Sequence, residues 1–194
     1  MNDALPPPDA AKQRRARRTL ILMALVGFAP VVLGTLVYFL FPQRAATNYG
    51  ELLAVAPAPE LVGRRLDGTS FRLAELNGRW LLVMLTGSAC DETCRRELYA
   101  TRQARTIQGR EQDRVLRVWL VTDAGTPAAE LLQEHPGLLV ARVDGSALNK
   151  LPGGDKAIYL VDPRGNLVLQ YPQDPDIRRL AKDLKRLLTA SSIG

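Results

Sequence analysis

Cys90 and Cys94 are the two cysteines of this 194-residue chain, and they stand four residues apart. If a helix already includes both, that spacing puts them on one face with Cβ atoms about 5–6 Å apart, and a small local adjustment brings them to disulfide distance. A thiol near a helix N-terminus sits in the positive end of the helix dipole, which favours thiolate and with it nucleophilic exchange and metal ligation. Arg95 and Arg96 reinforce that field, whereas Asp91 and Glu92 oppose it. Two chemistries are open to the pair: thiol–disulfide exchange, with Cys90 and Cys94 as the redox couple, and binding of Cu(I), with the same two thiolates as candidate ligands. The plain alternative, in an oxidising compartment, is an inert disulfide. A loop closed over so few residues constrains little chain, however, and makes a poor staple.

Other chemistry is sparse. Two cysteines cannot build a disulfide scaffold, and with His135 as the single histidine a structural zinc site of four Cys/His ligands is excluded. No glycine-rich phosphate cradle and no Ser-His-Asp set can be assembled. His135 lies in a His-Pro-Gly segment, where a capping or surface role is expected. Asp123 and Asp162 end strand-like runs in turn sequences, and Trp80 and Trp119 fall inside apolar runs that read as core. The net charge of +6 does not point to nucleic acid: Lys12, Arg14, Arg15, Arg17 and Arg18 against Asp3 and Asp9 place half of it in the first 18 residues, and the remainder is dilute.

The residues that position the cysteines begin far upstream. From Thr19 to Phe41 the chain is uncharged and apolar, long enough as a helix to cross a hydrocarbon core of about 30 Å. Pro30 is tolerable in such a span. The preceding basic cluster predicts a cytoplasmic N-terminus and places everything after about residue 42 across the membrane. A cleaved signal peptide is the competing reading, but its apolar region is usually about 7–15 residues; Arg17-Arg18 also fits a twin-arginine signal. Residues 1–18 are therefore expected to be a cytoplasmic basic tail, 19–41 a transmembrane anchor, 42–59 a proline-containing linker and 60–194 the globular domain. The tail's first eleven residues, with Pro6-Pro7-Pro8, read as disordered.

Within the domain, Leu61–Gly63 and Ser70–Leu73 flank an Asp67-Gly68 turn as a hairpin. Trp80–Thr86 is too apolar for a wet face and predicts a fully buried central strand. A helix follows Cys94 to about Gly109, then a strand at Val115–Val121, a short helix from Thr126-Pro127 to His135, and strands at 137–143 and Ala157–Val161. Asp162-Pro163-Arg164-Gly165-Asn166 turns the chain into Leu167–Leu169. Ile177, Leu180, Leu184 and Leu187 mark an amphipathic helix over 176–188. The order predicts a three-layer α/β fold.

That order, with paired cysteines between the first buried strand and its helix, resembles the thioredoxin superfamily over about residues 60–190. Within it the chain is most similar to the Sco/SenC group, membrane-anchored thioredoxin-like proteins that act in assembly of the copper centre of cytochrome c oxidase. The markers are Thr86 followed by Cys90-Asp91-Glu92-Thr93-Cys94, a C-x3-C spacing, with Val121-Thr122-Asp123, Thr126-Pro127 and Ile158–Gly165 in support. The resemblance implies a thioredoxin-like domain in the periplasm, on a single-pass protein of the inner (cytoplasmic) membrane, that handles the thiols or Cu(I) of an apo-oxidase subunit or another thiol protein. It also implies a third copper ligand, a histidine, shortly before Ala157; Gly153-Gly154-Asp155-Lys156 stands there instead, and Asp91 and Arg95 replace the group's prolines. An ordinary thioredoxin would carry a cis-proline where Lys156 lies, with Pro152 four residues earlier. Two alternatives stand beside this reading. One is a periplasmic thiol–disulfide oxidoreductase in which the more exposed Cys90 attacks and Cys94 resolves; the other is a non-catalytic thioredoxin-like interaction module.

Overall fold

The computed structural model describes residues 10–40 and 48–193, which form two units, a long helix and the domain that follows it. The helix, α1 (Ala10–Leu40), carries Pro30 in its interior. Its segment Arg14–Leu36 is long and apolar enough to cross a membrane. Arg14, Arg15, Arg17 and Arg18, read as part of the basic tail, are already helical. The triple proline and Phe41 lie outside the described residues.

The domain is built on one eight-stranded mixed sheet: β1 (Glu51–Pro57), β2 (Val62–Arg65), β3 (Ser70–Arg72), β4 (Trp80–Thr86), β5 (Val115–Val121), β6 (Leu138–Val143), β7 (Ala157–Val161) and β8 (Asn166–Pro172). Their order across the sheet is β1-β8-β7-β4-β5-β6-β2-β3. Strands β4, β5 and β6 run parallel, and the neighbours on either flank are antiparallel. Helices α2 (Glu92–Thr106), α3 (Ala129–Glu134) and α4 (Ile177–Ala190) complete the fold.

The apolar run of β4 now has its physical reason. Alternate residues Leu82 and Met84 enter a core shared with Leu98 of α2 and Leu180 and Leu184 of α4, while Leu81, Val83 and Leu85 enter a second core with Phe71, Leu73 and Leu76. Three layers result, one of α-helices and the other, opposite, closed by 3₁₀ turns at Leu73–Leu76 and Gly145–Lys150. Both parallel crossovers, β4-α2-β5 and β5-α3-β6, progress in one direction across the sheet, so the right-handed rule puts both helices on the same face.

Two sequence expectations change. Residues 42–59 contain a strand: Glu51–Pro57 pairs with β8, as far as Pro57 opposite Asn166. It was hidden because it is an outer edge whose residues are exposed except for Leu53, so no burial period marks it, and Pro57 is acceptable at an edge. Helix α3 begins at Ala129, after rather than at Thr126-Pro127.

The start of the domain is tied to its end. Asp183 of α4, 2% exposed, accepts the backbone N–H groups of Tyr49 (2.6 Å) and Gly50 (3.0 Å). The Tyr49 hydroxyl accepts from the Asp176 amide, and the Arg179 guanidinium lies 4.4 Å above the Tyr49 ring. Gly50 is required, since a Cβ there would stand 2.6 Å from the Tyr171 ring. Asp183→Ala should lower the unfolding free energy by about 1–3 kcal/mol, because it strands two donors at a buried position; urea denaturation followed by far-UV circular dichroism measures it.

Candidate redox site

The C-terminal end of β4 is where the sheet delivers its chemistry. Thr86 is in register with Val121 of β5, and Met84 with Ile158 at the start of β7. The loop after β4, the loop after β5 and the loop before β7 therefore converge at one end of the sheet.

The first loop, Gly87–Asp91, carries Cys90 into a disulfide with Cys94, Cα atoms 5.1 Å apart. Cys90 stands before the helix, in the left-handed region at φ 42°. A residue with a Cβ pays roughly 1–3 kcal/mol for that conformation, a cost that persists only where the surroundings enforce it. Cys94 is inside the first turn of α2. The pair thus straddles the helix start, not both on one helical face. Both sulfur residues are buried, Cys90 at 4% and Cys94 at 2% exposure, so the expected difference in access between them is small.

What enforces the loop is a pair of carboxylates. Asp91 is the N-cap of α2, and its Oδ1 accepts the Cys94 amide at 2.9 Å. Asp123, just past β5, accepts the Ser88 amide through Oδ2 and the Gly125 amide through Oδ1, both at 2.9 Å. These bonds to Ser88, foremost, hold its carboxyl below the usual carboxylate range. Gly87 gives the approach room: a Cβ there would lie 2.7 Å from Asp123 Oδ2. Asp123 is turn chemistry as the sequence implied, but the turn it braces is the cysteine loop.

One residue escaped the sequence reading altogether. Glu97 lies one turn beyond Cys94 on α2, 4% exposed, with Oε1 buried and unpartnered. Burial, and then the nearby charges of Asp91, Asp174 and Asp155, push its carboxyl up to about 7. Arg96 does not cancel this because it pairs outward, with Glu92 at 3.6 Å and Asp174 at 3.2 Å. In sequence Glu97 is one more charged residue in a charged helix; the signal available was its place three after Cys94, on the cysteine-facing side.

Across from the disulfide, Tyr159 organises the loop before β7. Its hydroxyl accepts the Gly153 amide at 2.8 Å and donates to the Gly154 carbonyl at 3.2 Å. Lys156 and Pro152 are exposed, and no peptide bond among the described residues is cis. Trp119, fully buried, shares the apolar cluster of Cys90 and Cys94, as the core reading of that residue required.

His135 is not brought to the cysteines. It caps the C-terminus of α3, beside the strand end where Arg117 pairs with Leu138. Arg117 is four residues, about 13 Å, from the Val121 end of β5. His135 itself is buried, at 4% exposure, and not on the surface. No group of three His, Cys, Asp or Glu side chains able to hold a metal occurs among the described residues. The donor set at the loop is thus two sulfurs, which fits a soft two-coordinate ion once the disulfide is reduced and does not fit a three-ligand copper centre.

Residues 80–191, more than half of the chain, match the family described as "Transmembrane-like, thioredoxin-like, C-terminal domain". The chain belongs to that family. The match opens at the first residue of β4 and closes after α4, so this thioredoxin-like segment contains the disulfide, Glu97 and Asp123. Copper-bound ScoI from Arabidopsis thaliana superposes with a TM-score of 0.59 at 19% identity, over 70% of this chain and 100% of that one. Copper-bound yeast Sco1 gives 0.59 at 19% identity, over 70% and 94%. The thioredoxin domain of a thiol-disulfide oxidoreductase from Bacteroides vulgatus gives 0.51 at 19%, over 70% and 99%. No curated protein matches the chain in sequence. The expected fold class, a thioredoxin-like α/β domain with Sco-type structural neighbours, is what the structure has.

Two measurements probe the loop. Asp91→Ala removes the cap and should cost about 1 kcal/mol of stability. Glu97 carries a raised pKa in the folded chain against about 4.3 unfolded, so the folded state binds the proton more tightly and stability falls as pH rises from about 4 to about 7. Glu97→Gln is blind to this, and its melting midpoint should gain on that of the unchanged protein between pH 5 and pH 8, the gain levelling off above the folded pKa.

Proposed function

We propose that this is a membrane-anchored thiol–disulfide exchange protein whose working groups are Cys90 and Cys94, acting in the biogenesis of a respiratory oxidase of the cytochrome c oxidase type. The observation that supports it most is the closed Cys90–Cys94 disulfide at the head of a helix, in a loop braced by Asp91 and Asp123 and holding Cys90 at positive φ. So small a loop contributes little to stability as a cross-link, and the strained backbone is more than a staple requires.

In the exchange the reduced pair attacks a disulfide of the partner. The Cys90 thiolate bonds to one partner sulfur and the other leaves as thiolate; the Cys94 thiolate then attacks Cys90 Sγ, closing the Cys90–Cys94 bond and expelling the second partner thiolate. Two electrons pass to the partner, whose thiolates take up the two protons given up by the cysteines. An apo-oxidase subunit with paired cysteines is a substrate of the required kind. Burial of both cysteines means that the Gly87–Asp91 loop must open to admit it.

Cargo Cu(I) is the second reading, favoured by the donor set: the reduced Sγ atoms of Cys90 and Cys94 supply two soft ligands, and Sco proteins of the same fold have been solved with copper bound. With Gly153–Lys156 in place of a histidine, stable Cu(II) binding is not expected. The reading takes the N-terminus as cytoplasmic and the domain as periplasmic, on the inner membrane; the basic residues ahead of the apolar span support it.

Two titrations of the full chain decide between the readings. Redox equilibration with glutathione or dithiothreitol should give one two-electron couple, and turnover with a disulfide substrate should vanish in both Cys90→Ser and Cys94→Ser. Titration of the reduced chain with Cu(I) against a competing chelator gives one ion per chain, lost in both variants, if copper is cargo. Indifference of partner binding to both substitutions would leave an interaction module and sink the redox reading.

A further inference from the structure

At the other end of the sheet lies a concentration of positive charge that the redox chemistry does not use. Arg117, the third residue of the apolar strand β5, is 2% exposed. Its Nη2 donates to the Pro136 carbonyl at 2.7 Å, and its Nε and Nη1 are buried with no partner. His135, adjoining Pro136, has a buried, unpartnered Nδ1, and Arg65 at the end of β2 a buried, unpartnered Nε. Arg65 and His135 both line a cavity of about 330 Å³, walled by Leu132, Leu138 and Val140.

The neighbouring charges do not neutralise this cluster. Arg102 donates to the Glu134 carbonyl, and Arg105 is committed to Asp113 and the Val115 carbonyl. Asp67 also borders the cavity and feels the charge of Arg65, but it is exposed to water, its Oδ1 is taken by the Thr69 amide and hydroxyl, and it stands beyond ion-pair distance of Arg65. Among the described residues neither Arg65 nor Arg117 has a carboxylate at ion-pair distance. A guanidinium does not shed its proton to escape burial, so an unpaired one is costly to enclose. His135 responds to the same field: burial, then Arg117 and Arg102, push its imidazole down to about 4, so it is neutral at pH 7.

We propose that this cavity is a binding site for a small organic carboxylate, its oxygens taken by the free donors of Arg65 and His135 in the positive field of Arg117, which stands behind the lining, and its short apolar stem by Leu132, Leu138 and Val140. The free polar atoms include several N–H donors and no acidic acceptor beyond Asp67, which selects an acceptor-only anion. The leucine and valine walls select a hydrocarbon-bearing acid over an inorganic oxyanion. The volume is at the lower end for a small-molecule site, which suits an acid of a few carbons.

The test uses the whole chain in detergent micelles, with His135 as the reporter, because a single histidine gives a single imidazole Cε1–H resonance. Butyrate should shift that resonance saturably and raise the imidazole pKa, by placing a negative charge beside the ring. It should also raise the melting midpoint in step with occupancy. Acetate should bind more weakly than butyrate, and both responses should weaken at least tenfold in Arg65→Met and to a lesser degree in Arg117→Met, which removes only the field behind the cavity. Arg65 lines the cavity wall, so Arg65→Met decides the matter if Arg117→Met does not fold. A response matched by chloride at equal ionic strength, or unaltered in the variants, overturns the site. Tighter binding of sulfate or phosphate than of butyrate overturns its assignment to carboxylates.

Discussion

The C-terminal end of β4 is a fixed point because the strand is buried on both faces and hydrogen-bonded on both edges. A chain leaving such a strand has no freedom in where it emerges, only in how it turns. Everything at the disulfide follows from making that turn within a few residues: Gly87 passes beneath Asp123, Cys90 takes a backbone conformation that side chains avoid, and Asp91 starts the helix. The neighbouring parallel strand supplies the brace and the antiparallel one the facing loop, both through register. The site is the geometric consequence of a central strand ending in water.

Charge is organised oppositely at the two ends of the sheet. Near the disulfide, Glu97 is surrounded by Asp91, Asp155 and Asp174 and holds its proton more tightly than a free carboxylic acid. Near α3, His135 is surrounded by arginines and holds its proton less tightly than a free imidazole. Burial drives each shift and like-signed neighbours extend it, so each group is moved toward its neutral form. The sheet between them is apolar, and the two clusters occupy separate microenvironments within one core.

Legibility in the sequence followed burial. Strands β4, β5 and β7 were readable to the residue, and the amphipathic α4 to within two residues at each end, because apolar periodicity is a direct imprint of the core. Strand β1 left no imprint, since an exposed edge needs no pattern, and its partner β8 is more than a hundred residues away. At the site the cysteine spacing was legible, but Cys90 at positive φ was not, because neither cysteine nor its neighbours are the residue types that advertise that conformation. Glu97 and Arg117 were invisible for one reason. A charged residue announces exposure, and only the folded arrangement shows that these two are enclosed.

The tie between Tyr49, Gly50 and Asp183 has a consequence for the order in which the chain can fold. It joins the first described residues of the domain to its last helix across more than 130 positions, and β1 likewise waits for β8. Helix α1 is local and can form as soon as it is made, whereas the domain cannot close until α4 has been synthesised. During synthesis β1 is therefore an unpaired strand with open backbone N–H and C=O groups, and the arrival of β8 decides when its inner edge is satisfied.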